Sequence, residues 1–255
     1  MSTEAFYPSA EIRWFWRETR GAFDALRRWI TKSGRIKTLT EEECKKPEKT
    51  NPAGLRKPFL KAEATRTDEY LLLPGALTTG VKLRQGRFEI KALTAGPTSC
   101  SLPEGRGEGK QDQWVKWSFD PRLKLQVDAG TPGAPAQFTF DMASLLHAGF
   151  TASGPWRKVI KDRCLLKYSL DSGRPKLVPP DPHPRTGCNV ELTRIGLANG
   201  AAGWLSFGLE AFGPALDTPA FLQHSLNSFF TDRPAPPVKL QLRDSLSYPA
   251  WLAST

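Results

Sequence analysis

The chain has 255 residues and a formal net charge of +10, from 36 Lys and Arg against 26 Asp and Glu. Its 39% hydrophobic content is ordinary for a globular protein of one large β domain or two small ones. No apolar run reaches the ~18 residues of a membrane span, and with no leader at the start and no C-x-x-C pair among Cys44, Cys100, Cys164 and Cys188 a reduced cytoplasmic protein without a zinc site is expected.

Taken in chain order, Glu11 to Trp16 reads as a strand with Glu11 and Arg13 on one face. Residues 20–32 follow as a basic amphipathic helix, with Phe23, Leu26, Trp29 and Ile30 at helical spacing. Residues 33–62 are a charged, Lys-rich insertion that reads as a long loop. Strands are then expected near 67–73, 79–85, 86–94, 113–119, 156–169, 187–196 and 203–212, which with the first makes eight. The Gly/Pro/Ser-rich stretch 95–112 reads as a surface loop, and the Pro-rich stretch 171–186 as a second one. Residues 122–127 and 136–141 suggest a hairpin outside the main set, and 142–148 a short helix. Residues 218–230 read as a helix with Thr218 as N-cap and Pro219 at its first position. The tail is Pro-rich, then apolar at Leu240, Leu242, Leu246 and Trp251, and is expected to pack back on the body. No internal repeat or sharp boundary divides the chain. The expectation is a single domain over 1–255, with its core at about 10–213 and a C-terminal helix and tail over 214–255.

The segment Gly80–Lys91 shows the pattern that organises the rest. As strand, turn and strand it places Lys82 and Arg84 on one face, then Arg87, Glu89 and Lys91, while Val81, Leu83, Phe88 and Ile90 face away. Alternation of this kind commonly separates a solvated face from a core. Here the polar face is unusually rich in long cations. The expected architecture is α+β: a mainly antiparallel eight-stranded β-barrel, a tunnel with a charged lumen, an apolar outer wall and flanking helices. The alternatives are an ordinary solvated sheet face and a basic nucleic-acid-binding surface.

Lys82, Arg84, Arg87, Lys91, Lys116, Lys161, Arg163 and Lys167, with Arg13, form the candidate phosphate-binding set. Guanidinium groups grip phosphate oxygens through paired N–H donors, and Lys adds a point charge. Glu11, Glu89, Glu191 and Glu210 fall on the same strand faces and are candidate ligands for Mg²⁺ or Mn²⁺, which prefer oxygen donors. They are equally suited to plain ion pairs with the cations. No G-x-S-x-G element, phosphate-binding G-x-x-x-x-G-K-[ST] loop or dinucleotide loop is present. The run Gly105–Gly109 reads as a flexible turn.

Over about residues 10–213 the order of these segments resembles the CYTH superfamily, the triphosphate tunnel enzymes. The resemblance lies in Glu11-Ile12-Arg13-Trp14-Phe15, Arg66-Thr67-Asp68-Glu69-Tyr70, Lys82-Leu83-Arg84, Glu89-Ile90-Lys91, Lys161-Asp162-Arg163 and Val190-Glu191-Leu192. It implies a tunnel that holds a triphosphate or nucleotide, with Glu11, Glu191 and Glu210 as catalytic acids and Mg or Mn as cofactor. The opening motif departs from the family's Glu-x-Glu-x-Lys: Arg13 stands at the second Glu and Phe15 at the Lys. That departure points equally to a non-catalytic sensor on the same fold.

Overall fold

The computed structural model describes residues 5–32, 60–72, 75, 77–119, 124–131, 134–141, 156–179, 183–197 and 203–255. Strands β1 (Ala5–Arg17), β3 (Arg66–Leu71), β4 (Thr79–Arg84), β5 (Arg87–Ser101), β6 (Glu108–Phe119), β9 (Trp156–Ser169), β11 (Gly187–Leu197) and β12 (Trp204–Phe212) form a closed antiparallel ring. Its order is β9-β11-β12-β1-β6-β5-β4-β3, and β3 pairs with β9 to close it. This is the eight-stranded antiparallel barrel with flanking helices that the alternation predicts. Two short strands, β2 (Lys61–Ala62) and β10 (Lys176–Val178), add to β9 beyond the ring. The hairpin β7 (Lys124–Thr131) and β8 (Ala134–Asp141) forms a separate two-stranded sheet. The helix expected over 142–148 lies outside the described residues, as does most of the charged insertion.

One side of the barrel is covered by two helices, as their patterns require. Helix α1 (Ala22–Thr31) buries Phe23, Leu26, Trp29 and Ile30, and helix α2 (Thr218–Thr231) buries Leu222, Leu226, Phe229 and Phe230. They pack on Ile12, Trp14, Val190, Leu192, Leu205, Phe207 and Leu209, the outward residues of β1, β11 and β12. Arg233 ties the helices together, donating to the Ile30 carbonyl at 3.0 Å and the Phe229 carbonyl at 2.8 Å. No helix among the described residues is long and apolar enough to cross a membrane. Cys100, Cys164 and Cys188 are free thiols.

Several expectations need correction. Residues 95–112 are not one loop. β5 runs on to Ser101 and β6 begins at Glu108, so the hairpin closes only in the turn around Pro103–Gly105. Gly96 and Pro97 sit where the β5–β6 register shifts, and such a bulge is where a strand tolerates proline. The end of the 33–62 stretch is ordered, with Leu60 buried and Lys61–Ala62 in a strand. Asp217, not Thr218, holds the N-cap position of α2 and makes no side-chain capping bond, while the Thr218 hydroxyl donates backward to the Ala215 carbonyl.

The tail does pack back, but into the barrel and not only onto it. Ser245 Oγ and the Leu246 N–H both donate to the Arg13 carbonyl, at 3.0 and 3.1 Å, and lead the chain over the rim. Helix α3 (Tyr248–Ala253) then drives Trp251 and Leu252 into one end of the lumen, where they meet Phe15, Tyr70, Val159, Ile195 and Leu197. Trp251 lies flat on Phe15, with ring centroids 4.9 Å apart and planes 3° apart. An eight-stranded barrel is just wide enough to be filled by side chains or to hold one small ligand. Here the apolar half of the lumen is filled by α3 and the other half is left open, so the tunnel is a cup. Trp251 is fully buried. Trp251→Ala is therefore expected to lower unfolding free energy by roughly 3–5 kcal/mol, read as a lower denaturant midpoint. An unchanged midpoint would contradict the plug.

Candidate functional site

The open half of the lumen is a cavity of about 270 Å³, just below the usual range of small-molecule sites, roughly 300–1,000 Å³. Eight cations face it: Arg13, Arg66, Lys82, Arg84, Lys91, Lys116, Lys161 and Arg163. Four carboxylates face it with them: Glu11, Glu89, Glu191 and Glu210. Strand alternation brings them together, since each strand sends every second side chain inward. Tyr70, Gly80, Asn189, Tyr248 and Pro249 complete the lining, the last two from the plug.

Eight cations in one enclosed space need compensation, and it is supplied in clusters. Asp68 is fully buried below the lining, 3.1 Å from Lys161, 3.5 Å from Arg66 and 3.8 Å from Lys82. Burial alone would raise its pKa, but these three cations outweigh that and bring it down to about 2. Glu191 takes Arg13 and Arg163, each at 2.7 Å, and accepts the Thr193 hydroxyl at 3.0 Å. Despite burial, the two guanidiniums hold Glu191 well below the usual carboxylate range. Glu89 pairs with Lys82 at 3.0 Å and with Arg84. Lys91 bridges Glu11 at 2.8 Å and Glu210 at 3.5 Å. Gly208 lies opposite both Arg13 and Glu191 in the register, and a Cβ there would come within 3.2 Å of the Arg13 side chain. Glycine thus leaves the guanidinium its path across the lumen.

At the floor, Lys161 Nζ donates to the Tyr70 hydroxyl at 2.7 Å and stands 3.9 Å from the centre of the Tyr248 ring. Burial pushes its pKa down to about 8 although Asp68 and Glu191 pull the other way. Lys116, on the wall toward the open end, has its pKa lowered by burial, and among the described residues it makes no ion pair. An acceptor-rich anion would relieve both lysines.

Of the nine expected phosphate contacts, seven line this cavity: Arg13, Lys82, Arg84, Lys91, Lys116, Lys161 and Arg163. Arg87 stands at the mouth, its guanidinium on Ser118. Lys167 is buried but does not face the cavity; its Nζ lies 2.8 Å from His183 Nδ1. The sequence reading missed Arg66 as a contact, Asp68 as the main counter-charge, and Tyr248 from the tail. Arg66, Asp68 and Tyr70 alternate like the other strands, so the signal for the first two was present. Nothing local marks Tyr248.

The same geometry tests the expected metal. Cross-strand register sets Asp112, Glu11 and Glu210 side by side on β6, β1 and β12, the nearest approach to a row of oxygen ligands. Lys91 Nζ occupies the space between Glu11 and Glu210. Burial and the neighbouring Glu11 push the Asp112 pKa up to about 6, which disfavours the charged form a ligand needs. Glu89 and Glu191 are each bound to two cations. Among the described residues no three acidic, His or Cys groups gather closely enough to hold a metal. The four glutamates therefore do not fit Mg²⁺ or Mn²⁺ as the cup stands. No family model matches the chain, and no curated protein matches it either.

Asp68 carries the clearest pH consequence. Its depressed pKa contributes stability that is complete above the ordinary value of 3.8 and is lost as pH falls toward about 2. Asp68→Asn should cost roughly 2–3 kcal/mol at pH 7 and should flatten the stability–pH curve between pH 4 and 2. Denaturant titrations across that range read both effects; a variant as stable as the parent at pH 7 would show that Asp68 does not compensate the three cations.

Proposed function

We propose that the barrel is an anion receptor that takes the phosphate end of a polyphosphate ligand into its cup, a divergent member of the triphosphate tunnel group acting without a divalent metal. The observation that carries this reading is the lining itself: eight cations around one blind cavity outnumber the four carboxylates that line it together with Asp68 buried behind it and Glu63 beside Arg163 and Arg66. Net positive charge in a low-dielectric enclosure attracts an anion far more strongly than the same charge spread over a surface. The cavity is too small and too enclosed for a nucleic-acid duplex. It accepts a few phosphoryl groups end-on, because α3 closes the far end. The CYTH-like order of motifs supports the same ligand class. The engaged carboxylates, and Lys91 between Glu11 and Glu210, support a binding role in place of metal-dependent turnover.

The test is calorimetric titration of inorganic tripolyphosphate into the protein in EDTA. Saturable binding without phosphate release is expected, and added Mn²⁺ should not tighten it. Lys116→Met removes a cation without leaving an acid unpaired among the described residues. It should weaken tripolyphosphate binding by about 10-fold or more, the size of one charge-assisted hydrogen bond, with little change in stability. Absence of binding would end the proposal, and Mn²⁺-dependent phosphate release would favour the hydrolase that the resemblance implies.

Proton linkage gives a separate check. Lys161 faces Arg66, Asp68 and Tyr70 on β3, Glu191 on β11 and Tyr248 on α3. An anion prefers the protonated ammonium, so the free-state value of about 8 rises on binding and protons are taken up. Affinity should be full below that pH and should fall as pH increases through 8 to 9. Identical binding heats in buffers of different ionisation enthalpy at pH 8 would contradict the linkage.

A further inference from the structure

We propose that the rim of the cup carries an aromatic subsite, built from Tyr7, His183 and Phe212, that takes the planar heterocycle of a nucleoside polyphosphate. The inference rests on the anion-binding reading of the lumen and adds to it the organic part of the ligand. Three cavities run in sequence from the floor outward. The lumen shares Arg66, Arg84, Glu89, Lys116 and Arg163 with a wider mouth cavity. The mouth in turn shares Tyr7 with a third cavity of about 500 Å³, walled by Pro8, His183, Phe212 and Pro214, with Arg185 and Asp171. Tyr7 is the junction between the charged mouth and the apolar shelf.

Each wall residue is placed by the barrel. Tyr7 projects from β1, 49% exposed, with Lys116 Nζ 5.2 Å from its ring centre. Phe212 ends β12, and His183 lies on it with ring centroids 4.5 Å apart and planes 24° apart. Lys167 Nζ stands 2.8 Å from His183 Nδ1. That contact is of hydrogen-bond length and fixes the orientation of the imidazole. Lys167, buried outside the lumen, thereby positions a ring of the shelf. Asp171 is occupied by the Thr186 N–H and hydroxyl, at 2.8 and 2.9 Å. Arg185 contributes donors to the wall, suited to the acceptor edge of a heterocycle.

Flat rings with a nearby cation are the elements that bind a base by stacking. The spacing also suits. Tyr7 pairs in register with Lys116, the lysine toward the open end, and lies four residues, about 13 Å, before Glu11 on β1, so phosphates that reach inward from Lys116 leave the organic end of the ligand at the ring. A blind cup forces this orientation, with the phosphates inward and the ring at the rim.

The experiment titrates inorganic tripolyphosphate, ATP and GTP into the full chain in EDTA. One or both nucleotides should bind about tenfold more tightly than tripolyphosphate, the scale of one base–aromatic stack. Phe212→Leu should reduce that margin and leave tripolyphosphate affinity unchanged, and Tyr7→Ala, which also removes the ring beside Lys116, should weaken the nucleotides more than tripolyphosphate. Tripolyphosphate binding with no nucleotide advantage, or equal weakening of all ligands by Tyr7→Ala, would overturn the shelf and leave the cup intact. Binding of none of them would overturn the cup and the shelf together.

Discussion

A closed barrel cannot hold eight inward cations unless something answers their charge. That constraint organises the lumen more than any single packing contact does. Asp68 is the deepest answer, fully buried and facing three cations from β3, β4 and β9. Glu191 does the same for Arg13 and Arg163, across β1 and β9. Because each acid meets cations from other strands, the ion pairs depend on correct closure of the ring. A one-residue slip in any strand would turn its charged set outward and its apolar set inward. Removing one partner of such a pair leaves a buried charge that costs several kcal/mol, far more than an exposed surface pair contributes.

The compensation is incomplete, and the shortfall has a direction. Arg13 is held firmly in the charged state by Glu191, and Arg163 by Glu191 and Glu63, even against burial. Lys161 and Lys116 are pulled the other way, toward neutrality. One part of the lumen is therefore a satisfied scaffold, and the other is a set of donors whose charged form an incoming anion would stabilise. Preorganised donors that pay no reorganisation on binding are how enclosed sites reach high affinity for small anions. The blind end matters equally. Phe15, inward-facing like Glu11 and Arg13 but apolar, makes a seat for Trp251, and the tail closes that end of the tunnel.

Much of the barrel was legible in the sequence because period-two alternation is local. Lys82, Arg84, Glu89 and Lys91 announce their shared face within ten residues, and the cavity gathers all four. What escaped depends on contacts across the chain. Gly96 and Pro97 look like loop residues, yet they sit in a bulge within a long hairpin. The tail reads as apolar, but its target, Phe15, lies more than two hundred residues earlier. Whether Glu11 and Glu210 would hold a metal or an ammonium turned on where Lys91 reaches, and only ring closure sets that. Lys167 alternates correctly with Lys161 and Arg163, but β9 pairs with β3 only as far as Lys161; at Lys167 its neighbours are β11 and β10, and the ammonium lies on His183.

The most direct measurement is a crystal structure of the full chain soaked with tripolyphosphate in the absence of divalent ions. Continuous density is expected inside the cup, with phosphate oxygens on Lys161 Nζ and Lys116 Nζ and α3 still seated behind them. An empty lumen with phosphate bound only on the outer wall would contradict an enclosed anion site.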